Sequence, residues 1–190
     1  LKEKKPYLKI GVGGCVAQQE GGKILKREKS VDFVFGTDNL FELPKILKEI
    51  YSGINSLKIE RTKPFSKVND FIPIHYTSEV KGIKAKIAIT KGCNNFCSFC
   101  IVPITRGLEV SRTSESILEE TKRLVESGIK EICLLGQNVN SYRDNQTSFV
   151  QLLEKLDKID GLNRIRFISP HPKDFTEDLA YAMKELSKVC

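Results

Sequence analysis

Three cysteines in one short loop constrain this chain more than any other feature of its sequence. Cys93, Cys97 and Cys100 stand at C-x3-C-x2-C spacing within Lys91–Arg112, which reads KGCNNFCSFCIVPITRGLEVSR. An alternating run, Lys84–Thr90, precedes the loop and predicts a strand, while a helical pattern follows the loop. The thiols are therefore expected where a strand ends, at the edge of an α/β sheet that usually carries the chemistry.

Three closely spaced thiolates predict a metal centre. A structural zinc ion takes four tetrahedral ligands, usually as two pairs, and the loop has no fourth cysteine or histidine. A [4Fe–4S] cluster held by three cysteines explains the number better, because one iron then stays open for a substrate. Zinc or a disulfide is the alternative interpretation. Phe96 and Phe99 alternate with the cysteines, either as apolar cover for a cluster or as core residues.

The composition indicates a globular protein in a reducing compartment. Hydrophobic residues make up 40% of the 190, and no apolar run approaches the ~20 residues of a membrane span. We expect no secretion signal and a cytoplasmic location, since the six cysteines do not suggest a disulfide framework. The net charge of +7 favours a polyanionic partner such as RNA, with a solvated basic surface as the alternative.

The two ends of the sequence suggest an internal fragment of a longer protein. The chain begins with Leu1, and Met183 is its only methionine. At the other end a new apolar run begins after the last predicted helix. We therefore expect further domains on either side of this chain.

Hydrophobic periodicity predicts an α/β fold in two parts. Residues 1–51 resemble the C-terminal part of a small doubly wound domain, and residues 84–190 predict three βα units with a parallel sheet. Residues 52–83, with Pro64 and Pro73, predict a linker with short extended pieces, in which His75 has a surface or packing role. The predicted strands are 6–12, 31–35, 84–90, 129–135 and 162–169, and the predicted helices are 16–29, one capped by Thr37 or Asp38, 113–128, 147–159 and 176–188.

A glycine-rich segment near the start partly matches the fingerprint of a dinucleotide site. Gly11–Val16 begins like G-x-G-x-x-G, but Val16 stands where the last glycine belongs. No acid closes the following strand, since Asp32 lies at its start. The sequence therefore does not favour a nicotinamide or flavin site. Cys15 within this segment is, on packing grounds alone, a small buried residue at a tight turn.

Two strings of residues resemble a known family. GCNNFCSFCIVPITRGLEVSR is similar to the cluster loop of radical S-adenosylmethionine (SAM) enzymes, and to their methylthiotransferase branch in particular. A second string, Leu135–Tyr142 (LGQNVNSY), resembles the methylthiotransferases that act on isopentenyladenosine in tRNA. The resemblance implies that residues 84–190 form the first half of a partial (β/α) barrel.

The same resemblance implies a reaction and its partners. The expected activity adds a methylthio group to C2 of N6-isopentenyladenosine beside the tRNA anticodon. It uses SAM, two [4Fe–4S] clusters and an electron donor such as a flavodoxin or a ferredoxin. The alternatives are a methylthiotransferase for another nucleoside or for a ribosomal protein, or a metal-binding α/β module without enzymatic activity.

The resemblance also implies which cysteines bind the clusters. Cys93, Cys97 and Cys100 match the ligands of the SAM-binding cluster. Cys15, in GGCVAQ, matches the third ligand of an auxiliary [4Fe–4S] cluster, whose first two cysteines would lie upstream of this chain. Only one cluster therefore has its ligands complete here, and we expect the chain alone to be inactive in methylthiolation.

A polar turn after the second strand of this half is a candidate for SAM binding. Gly136, Gln137 and Asn138 stand where many radical SAM enzymes bind the SAM amino group through a glycine-rich turn. The alternative is a purely local role, in which Asn140 and Ser141 cap the turn.

Other polar residues have less specific predictions. His171 follows the third strand and contacts SAM or the nucleobase, or else stabilises its loop. Arg106, Arg112 and Lys91 contact phosphate or the SAM carboxylate, or else form a solvated rim. Cys133 lies within a predicted strand and is expected to be a buried small hydrophobic residue.

Overall fold

The computed structural model describes residues 2–52, 59–62, 82–145 and 147–190, which form a mixed α/β structure. These residues group into two compact units. The first contains the described residues up to position 62 together with 95–108, and the second contains 82–94 and the described residues from 109 onward. The cysteine loop is divided between them, because Cys93 belongs to the second unit and Cys97 and Cys100 belong to the first. The domain boundaries proposed from the sequence stay a prediction.

The first unit is built on a three-stranded parallel sheet with short helices. In chain order its elements are β1 (Gly11–Gly13), α1 (Cys15–Glu20), α2 (Gly22–Arg27), β2 (Phe33–Phe35), a 3-10 segment (Thr37–Glu42), α3 (Leu43–Tyr51), β3 (Ile59–Arg61) and α4 (Val102–Arg106). The strands lie in the order β1-β2-β3, and Val12 pairs with Val34. Two small groups of buried side chains form the core: Ala17, Ile24, Leu25, Val31 and Val34, and separately Phe33 and Ile46.

Two predicted helices of this unit differ from the observed ones. The helix predicted over 16–29 is divided into α1 and α2 at Gly21, whose φ of +51° favours glycine. The next helix begins as a 3-10 segment, and Thr37 does not cap it. The Thr37 hydroxyl instead donates to the carbonyl oxygen of Thr105 at 3.1 Å, which attaches α4 to this segment. Pro64, Pro73 and His75 lie outside the described residues.

The second unit contains a three-stranded parallel sheet with helices between its strands. In chain order its elements are β4 (Lys84–Ala88), β5 (Thr90–Lys91), β6 (Val110–Ser111), α5 (Ser114–Glu126), β7 (Glu131–Leu135), a 3-10 turn (Val139–Ser141), α6 (Phe149–Asp157), β8 (Arg164–Phe167), a second 3-10 turn (Pro172–Asp174) and α7 (Glu177–Glu185). The sheet has the order β4-β7-β8, while β5 and β6 form a separate antiparallel pair. The prediction of an α/β fold with parallel strands is confirmed.

Buried apolar side chains alternate with other residues along β4, β7 and β8, which gives this sheet one apolar face. Ile87, Ile132 and Ile165 are fully buried and belong to one core with side chains from α5 and α6, including Ile117 and Leu152. Burying each such side chain contributes roughly 1.5–3 kcal/mol. The helices also begin at side-chain caps: Thr113 for α5, Ser148 for α6 and Thr176 for α7.

The opposite face of the sheet is charged. Glu131 lies 3.2 Å from Nε of Arg166 and 3.4 Å from the nearest nitrogens of Lys84 and Arg164. Partial burial acts against the charge of this carboxylate, but the three cations outweigh it and lower the pKa of Glu131. Cys133 lies on this face and is half-buried, so the prediction of a buried hydrophobic residue was wrong. Burial is still the main effect that raises the pKa of its thiol.

The last three residues pair with β8. The Ile165 amide donates to the carbonyl oxygen of Lys188 at 2.7 Å, and the Cys190 amide donates to the carbonyl oxygen of Ile165 at 3.0 Å. Val189 forms a parallel bridge with Ile165 and is buried. The apolar run predicted after α7 thus continues the sheet beyond β8. Within the described ranges, none of the helices is both long and apolar enough to cross a membrane.

Candidate metal centre and cofactor site

The three cysteines of the loop lie in different local surroundings. Cys93 follows β5 and is only 8% exposed, while Cys97 and Cys100 are half-buried. The Cys100 amide donates to the Cys97 carbonyl oxygen at 2.9 Å, so these two residues share one tight turn. None of the six cysteines forms a disulfide. Among the residues described, no group of three or more Cys, His, Asp or Glu side chains is arranged to hold a metal ion, and the ligand set stays a prediction.

The cysteine loop contains a short helix that periodicity did not reveal. Helix α4 spans five residues, Val102–Arg106, which is too short for a helical repeat of apolar side chains. Its signal in the sequence is Pro103 within the first turn and Gly107 directly after the last residue. The Gly107 φ of +82° explains why the helix ends there.

The two phenylalanines of the loop do not lie in a core. Phe99 is 93% exposed and Phe96 is 59% exposed. Phe96 also has a φ of +47°, which is uncommon for a residue with a bulky side chain. The interpretation of these rings as core residues was therefore wrong, and their predicted role as apolar cover stays a prediction.

Cys15 and Arg106 are in direct contact within the first unit. Cys15 is the first residue of α1, and Arg106 is the last residue of α4. Arg106 Nε donates a hydrogen bond to the Cys15 sulfur at 3.2 Å, and both residues are half-buried. Cys15 is thus less buried than the prediction of a small buried residue at a tight turn required. Arg106, expected at a phosphate, at the SAM carboxylate or on a solvated rim, instead has a thiol as its partner.

The turn after β7 packs against the start of the cysteine loop. Gln137 Oε1 accepts a hydrogen bond from the amide of Gly92 at 2.7 Å, next to Cys93. A Cβ at Gly136 would overlap the Thr90 hydroxyl oxygen and would lie 3.1 Å from the Val139 Cα. The glycine is therefore required by close packing.

Replacing Gly136 with alanine should destabilise the second unit. Overpacking of this kind typically costs about 1–3 kcal/mol, to be measured as a shift of the urea unfolding midpoint. The Thr90→Ala substitution removes the hydroxyl that the new methyl group meets, so the double variant should recover part of the loss. An equal cost of Gly136→Ala with and without the Thr90 hydroxyl would contradict this explanation.

Asn138 lies at the centre of a small acidic cluster that sequence analysis did not find. Its side chain is 3% exposed, and Nδ2 donates to Asp174 Oδ2 at 2.6 Å. Its Oδ1 is buried and has no hydrogen-bond partner among the residues that the structure describes. The Ser141 hydroxyl lies 2.6 Å from Glu109 Oε2 and 2.8 Å from the Asn138 carbonyl oxygen, which joins Glu109 to the same turn.

Glu109 and Asp174 give this cluster a negative character. Burial is the main effect that raises the pKa of Glu109, the charge of Asp174 raises it further, and the hydrogen bond from Ser141 lowers it. The side chain with this unpartnered oxygen contacts one carboxyl group, and a second is joined to the same turn through Ser141. Such an arrangement suits a positively charged, hydrogen-bond-donating ligand. SAM carries a sulfonium and an α-amino group, so the residues present fit it. The only sequence signal for a role of Glu109 was its position in the loop string LEVSR.

His171 is used to shape its own loop. Its backbone amide donates to Asn140 Oδ1 at 2.8 Å, and its carbonyl oxygen accepts from Asn140 Nδ2 at 3.0 Å. Its ring Nδ1 accepts from the Lys173 amide at 3.1 Å. These bonds support the loop-stabilising interpretation, and a contact with SAM or a nucleobase stays a prediction.

Arg112 is a structural residue. It is 9% exposed, and its Nη1 lies 2.6 Å from Glu120 Oε2 in a buried ion pair. The same guanidinium donates to the carbonyl oxygens of Ala88 at 3.1 Å and Ser116 at 3.2 Å. Both interpretations from the sequence, a ligand contact and a solvated rim, were wrong for Arg112, because its donors are used inside the fold. Lys91 is half-buried in β5.

Comparison with known proteins identifies the superfamily. The sequence profile of the Radical SAM superfamily matches residues 87–189. This range begins in β4 and includes the cysteine loop, the turn after β7 and the loop around His171. The chain belongs to the radical SAM superfamily. The prediction made from the cysteine loop is confirmed, and membership implies a [4Fe–4S] cluster and SAM as cofactors.

Relatives extend the similarity to the whole chain. A tRNA-2-methylthio-N(6)-dimethylallyladenosine synthase of Thermodesulfovibrio yellowstonii is 43% identical over 190 residues, which is 100% of this chain and 42% of that protein. The protein of the same name from Carboxydothermus hydrogenoformans is 44% identical over 195 aligned positions, or 100% of this chain and 43% of that protein. The chain thus spans about two fifths of the length of these curated relatives.

A solved structure shares the fold. The radical SAM methyltransferase TsrM of Kitasatospora setae, with its tryptophan substrate and a SAM analogue bound, is 15% identical to this chain with a TM-score of 0.61. The match covers 95% of this chain and 40% of that protein. At this identity the likeness concerns the fold alone.

Proposed function

We propose that this chain is part of a tRNA methylthiotransferase that adds a methylthio group to C2 of N6-isopentenyladenosine beside the anticodon. The observation that carries the proposal is identity of 43–44% along the whole chain with the two synthases described above. This similarity includes the first unit, which lies mostly outside the range of the superfamily profile. A relationship limited to general radical SAM chemistry would not require similarity in the first unit.

The finer architecture is proposed on the same grounds. Residues 1–51 are the C-terminal part of a doubly wound domain that carries the auxiliary cluster. Residues 52–83 are the linker, and residues 84–190 are the first half of a partial (β/α) barrel. The parallel order β4-β7-β8 and the helices between these strands support the barrel, because its repeating unit is a strand followed by a helix.

The proposed ligands of the SAM-binding cluster are Cys93, Cys97 and Cys100. Three thiols outside disulfides suit iron, and Cys97 and Cys100 already share one turn. When bound, the cluster supplies the electron that cleaves SAM and thereby the radical that removes hydrogen from the adenine carbon. The chain positions the ligands and excludes water from the cluster. The exposed rings of Phe96 and Phe99 contribute to this exclusion as apolar cover.

The turn after β7 is proposed to bind SAM. Gln137 holds the backbone of Gly92 beside Cys93 and so fixes the start of the loop relative to the turn. The unpartnered oxygen of Asn138 accepts a hydrogen bond from the amino group of SAM. The carboxyl groups of Glu109 and Asp174 favour the positive charge that SAM carries. The tRNA is bound in part through the net charge of +7, and a flavodoxin or ferredoxin supplies electrons.

Analysis of tRNA nucleosides tests the proposal. The full-length gene is expressed in bacteria that lack their own methylthiotransferase, and the nucleosides of digested tRNA are measured by mass spectrometry. We expect 2-methylthio-N6-isopentenyladenosine to appear and N6-isopentenyladenosine to decrease. The matched control is the same gene with Cys100→Ala, which should leave the nucleoside unmodified, whereas Cys190→Ala should not.

Two results would contradict this substrate. A methylthio group on a different nucleoside would assign the protein to another methylthiotransferase. Unmodified tRNA together with a methylthiolated ribosomal protein would exclude tRNA as the substrate.

A further inference from the structure

We propose that Asp174 is a positioning residue for SAM, because its carboxylate fixes the side-chain amide of Asn138 with the oxygen turned toward the ligand. The inference rests on the proposed SAM site, in which that oxygen accepts a hydrogen bond from the α-amino group. It assigns a role to a residue of the loop after β8, which lies 36 positions from its partner in the turn after β7. The two strings that suggested the family do not include Asp174.

The chemistry of the contact decides which way the Asn138 amide points. Nδ2 of Asn138 lies 2.6 Å from Oδ2 of Asp174. An ionised carboxylate only accepts hydrogen bonds, so the amide nitrogen, which is a donor, faces it and the amide oxygen is turned away. This oxygen is buried and has no hydrogen-bond partner among the described residues. Asp174 therefore holds it as an acceptor for a donor that the described part of the chain does not supply.

Hydrogen bonds on both sides keep the two side chains together. The Asn138 carbonyl oxygen accepts from the Ser141 hydroxyl at 2.8 Å. On the other side, the Asp174 amide donates to the His171 carbonyl oxygen at 3.0 Å. The same oxygen accepts from Asn140 Nδ2 at 3.0 Å, and Asn140 Oδ1 accepts from the His171 amide at 2.8 Å. Asn140 therefore joins the loop that carries Asp174 to the turn that carries Asn138.

Removing the acceptor at position 174 frees the amide to rotate. In the rotated state its NH2 group faces the ligand, and the α-amino group of SAM then meets a donor where it needs an acceptor. Asparagine at position 174 keeps an acceptor oxygen and removes the charge, whereas leucine removes both at similar size. These two substitutions therefore separate the orientation of the amide from the negative charge of Asp174.

The test measures SAM binding by the full-length protein after anaerobic reconstitution with iron and sulfide, without a reductant, so that SAM is not cleaved. Equilibrium dialysis gives the Kd of the unaltered protein, Asp174→Asn and Asp174→Leu. Asp178→Leu is the matched control, because Asp178 is an exposed acidic residue in the first turn of α7. Each protein is also titrated with a SAM analogue that has hydrogen in place of the α-amino group, and its thermal unfolding temperature is recorded.

We expect Asp174→Leu to raise the Kd for SAM about tenfold, which is the usual cost of one hydrogen bond to a charged group. Asp174→Asn should stay within about threefold of the unaltered protein, because it loses only the attraction of a half-buried charge. The Kd for the analogue should change little in either variant, since the analogue lacks the donor that the Asn138 oxygen accepts. Asp178→Leu should leave both Kd values unchanged.

A reversed pair tests the orientation with polar side chains kept at both positions. Asn138→Asp alone brings two carboxylates together and should weaken SAM binding. Adding Asp174→Asn supplies a donor for one oxygen of the new carboxylate and leaves the other oxygen as an acceptor for SAM. The double variant should therefore bind SAM more tightly than Asn138→Asp alone.

The outcomes that overturn the inference are distinguishable. A Kd for SAM as high in Asp174→Asn as in Asp174→Leu would show that charge, and not orientation, is the cause. Equal losses for SAM and the analogue would show that Asp174 only stabilises its loop. An unchanged Kd in Asp174→Leu, with binding weakened in Asn138→Leu, would likewise reject the role of Asp174 and leave the SAM site intact. Unchanged SAM binding by folded Asn138→Leu would reject the proposed SAM site together with this inference. The reaction on tRNA does not depend on these results, because nucleoside analysis tests it separately.

Discussion

Replacing Cys97 with alanine should remove the iron from the 190-residue chain and abolish SAM cleavage. In the proposed assignment the unaltered chain has one complete set of three cysteine ligands, so about four irons per chain are expected after anaerobic reconstitution with iron and sulfide. Loss of one thiolate leaves two ligands, which do not retain a cluster with an open iron. Iron and sulfide analysis and the formation of 5′-deoxyadenosine from SAM, with dithionite added as the source of electrons, are the measurements. Cleavage in the variant should fall to the level of a sample without protein.

Matched controls separate this effect from a general loss of thiols. Cys190→Ala removes an exposed thiol at the end of the chain, and Cys133→Ala removes a half-buried one on the charged face of the sheet. Both variants should retain iron and SAM cleavage. Full iron content in Cys97→Ala would contradict the ligand assignment. About eight irons in the unaltered chain would contradict the prediction that only one cluster is complete here.

Replacing Arg112 with methionine should have the largest effect on stability. Its guanidinium is the partner of Glu120 in a buried ion pair, and the substitution leaves a buried carboxylate without compensation. Breaking a pair of this kind typically costs about 3–5 kcal/mol, to be measured by urea unfolding. The loss is a large fraction of the total stability of a small protein, so the variant should also show a lower thermal unfolding temperature.

Two companion variants show whether the uncompensated charge is the cause. Glu120→Gln combined with Arg112→Met removes the buried negative charge and should restore part of the stability. Arg164→Met removes a cation from the exposed pair with Glu131 and should cost no more than about 1 kcal/mol. A double variant as unstable as Arg112→Met alone would show that packing, and not charge, explains the loss.

Local patterns in the sequence predicted much of the fold. The alternation in Lys84–Thr90 identified β4 and the start of β5, and the helix predicted over 113–128 corresponds to α5, which begins at Ser114. Both signals depend on neighbouring residues only. The cysteine loop gave the superfamily for the same reason, since its three thiols lie within eight positions of each other.

Contacts between distant positions were not predictable in this way. The Arg106–Cys15 hydrogen bond connects residues 91 positions apart, and no periodicity relates them. The acidic cluster requires Glu109 to reach Ser141 and Asp174 to reach Asn138, and these contacts join three separate loops. Charge alone also misled the interpretation of Arg112, because an arginine in a loop is usually exposed. Arg112 is buried because it pairs with Glu120, which lies on the helix that follows the loop.

The hydrogen bonds of residues 188–190 have a consequence for self-association. Exposed strand edges are templates on which another chain adds a strand and begins to aggregate. At β8, the backbone amide and carbonyl of Ile165 are already used by Lys188 and Cys190. The other edge of the described sheet is β4, where Lys84 and Lys86 are exposed, and lysines on an edge strand disfavour the approach of another chain. The backbone of Ile165 in β8 is thus protected against strand addition by hydrogen bonding within the chain, and the β4 edge is protected by charge.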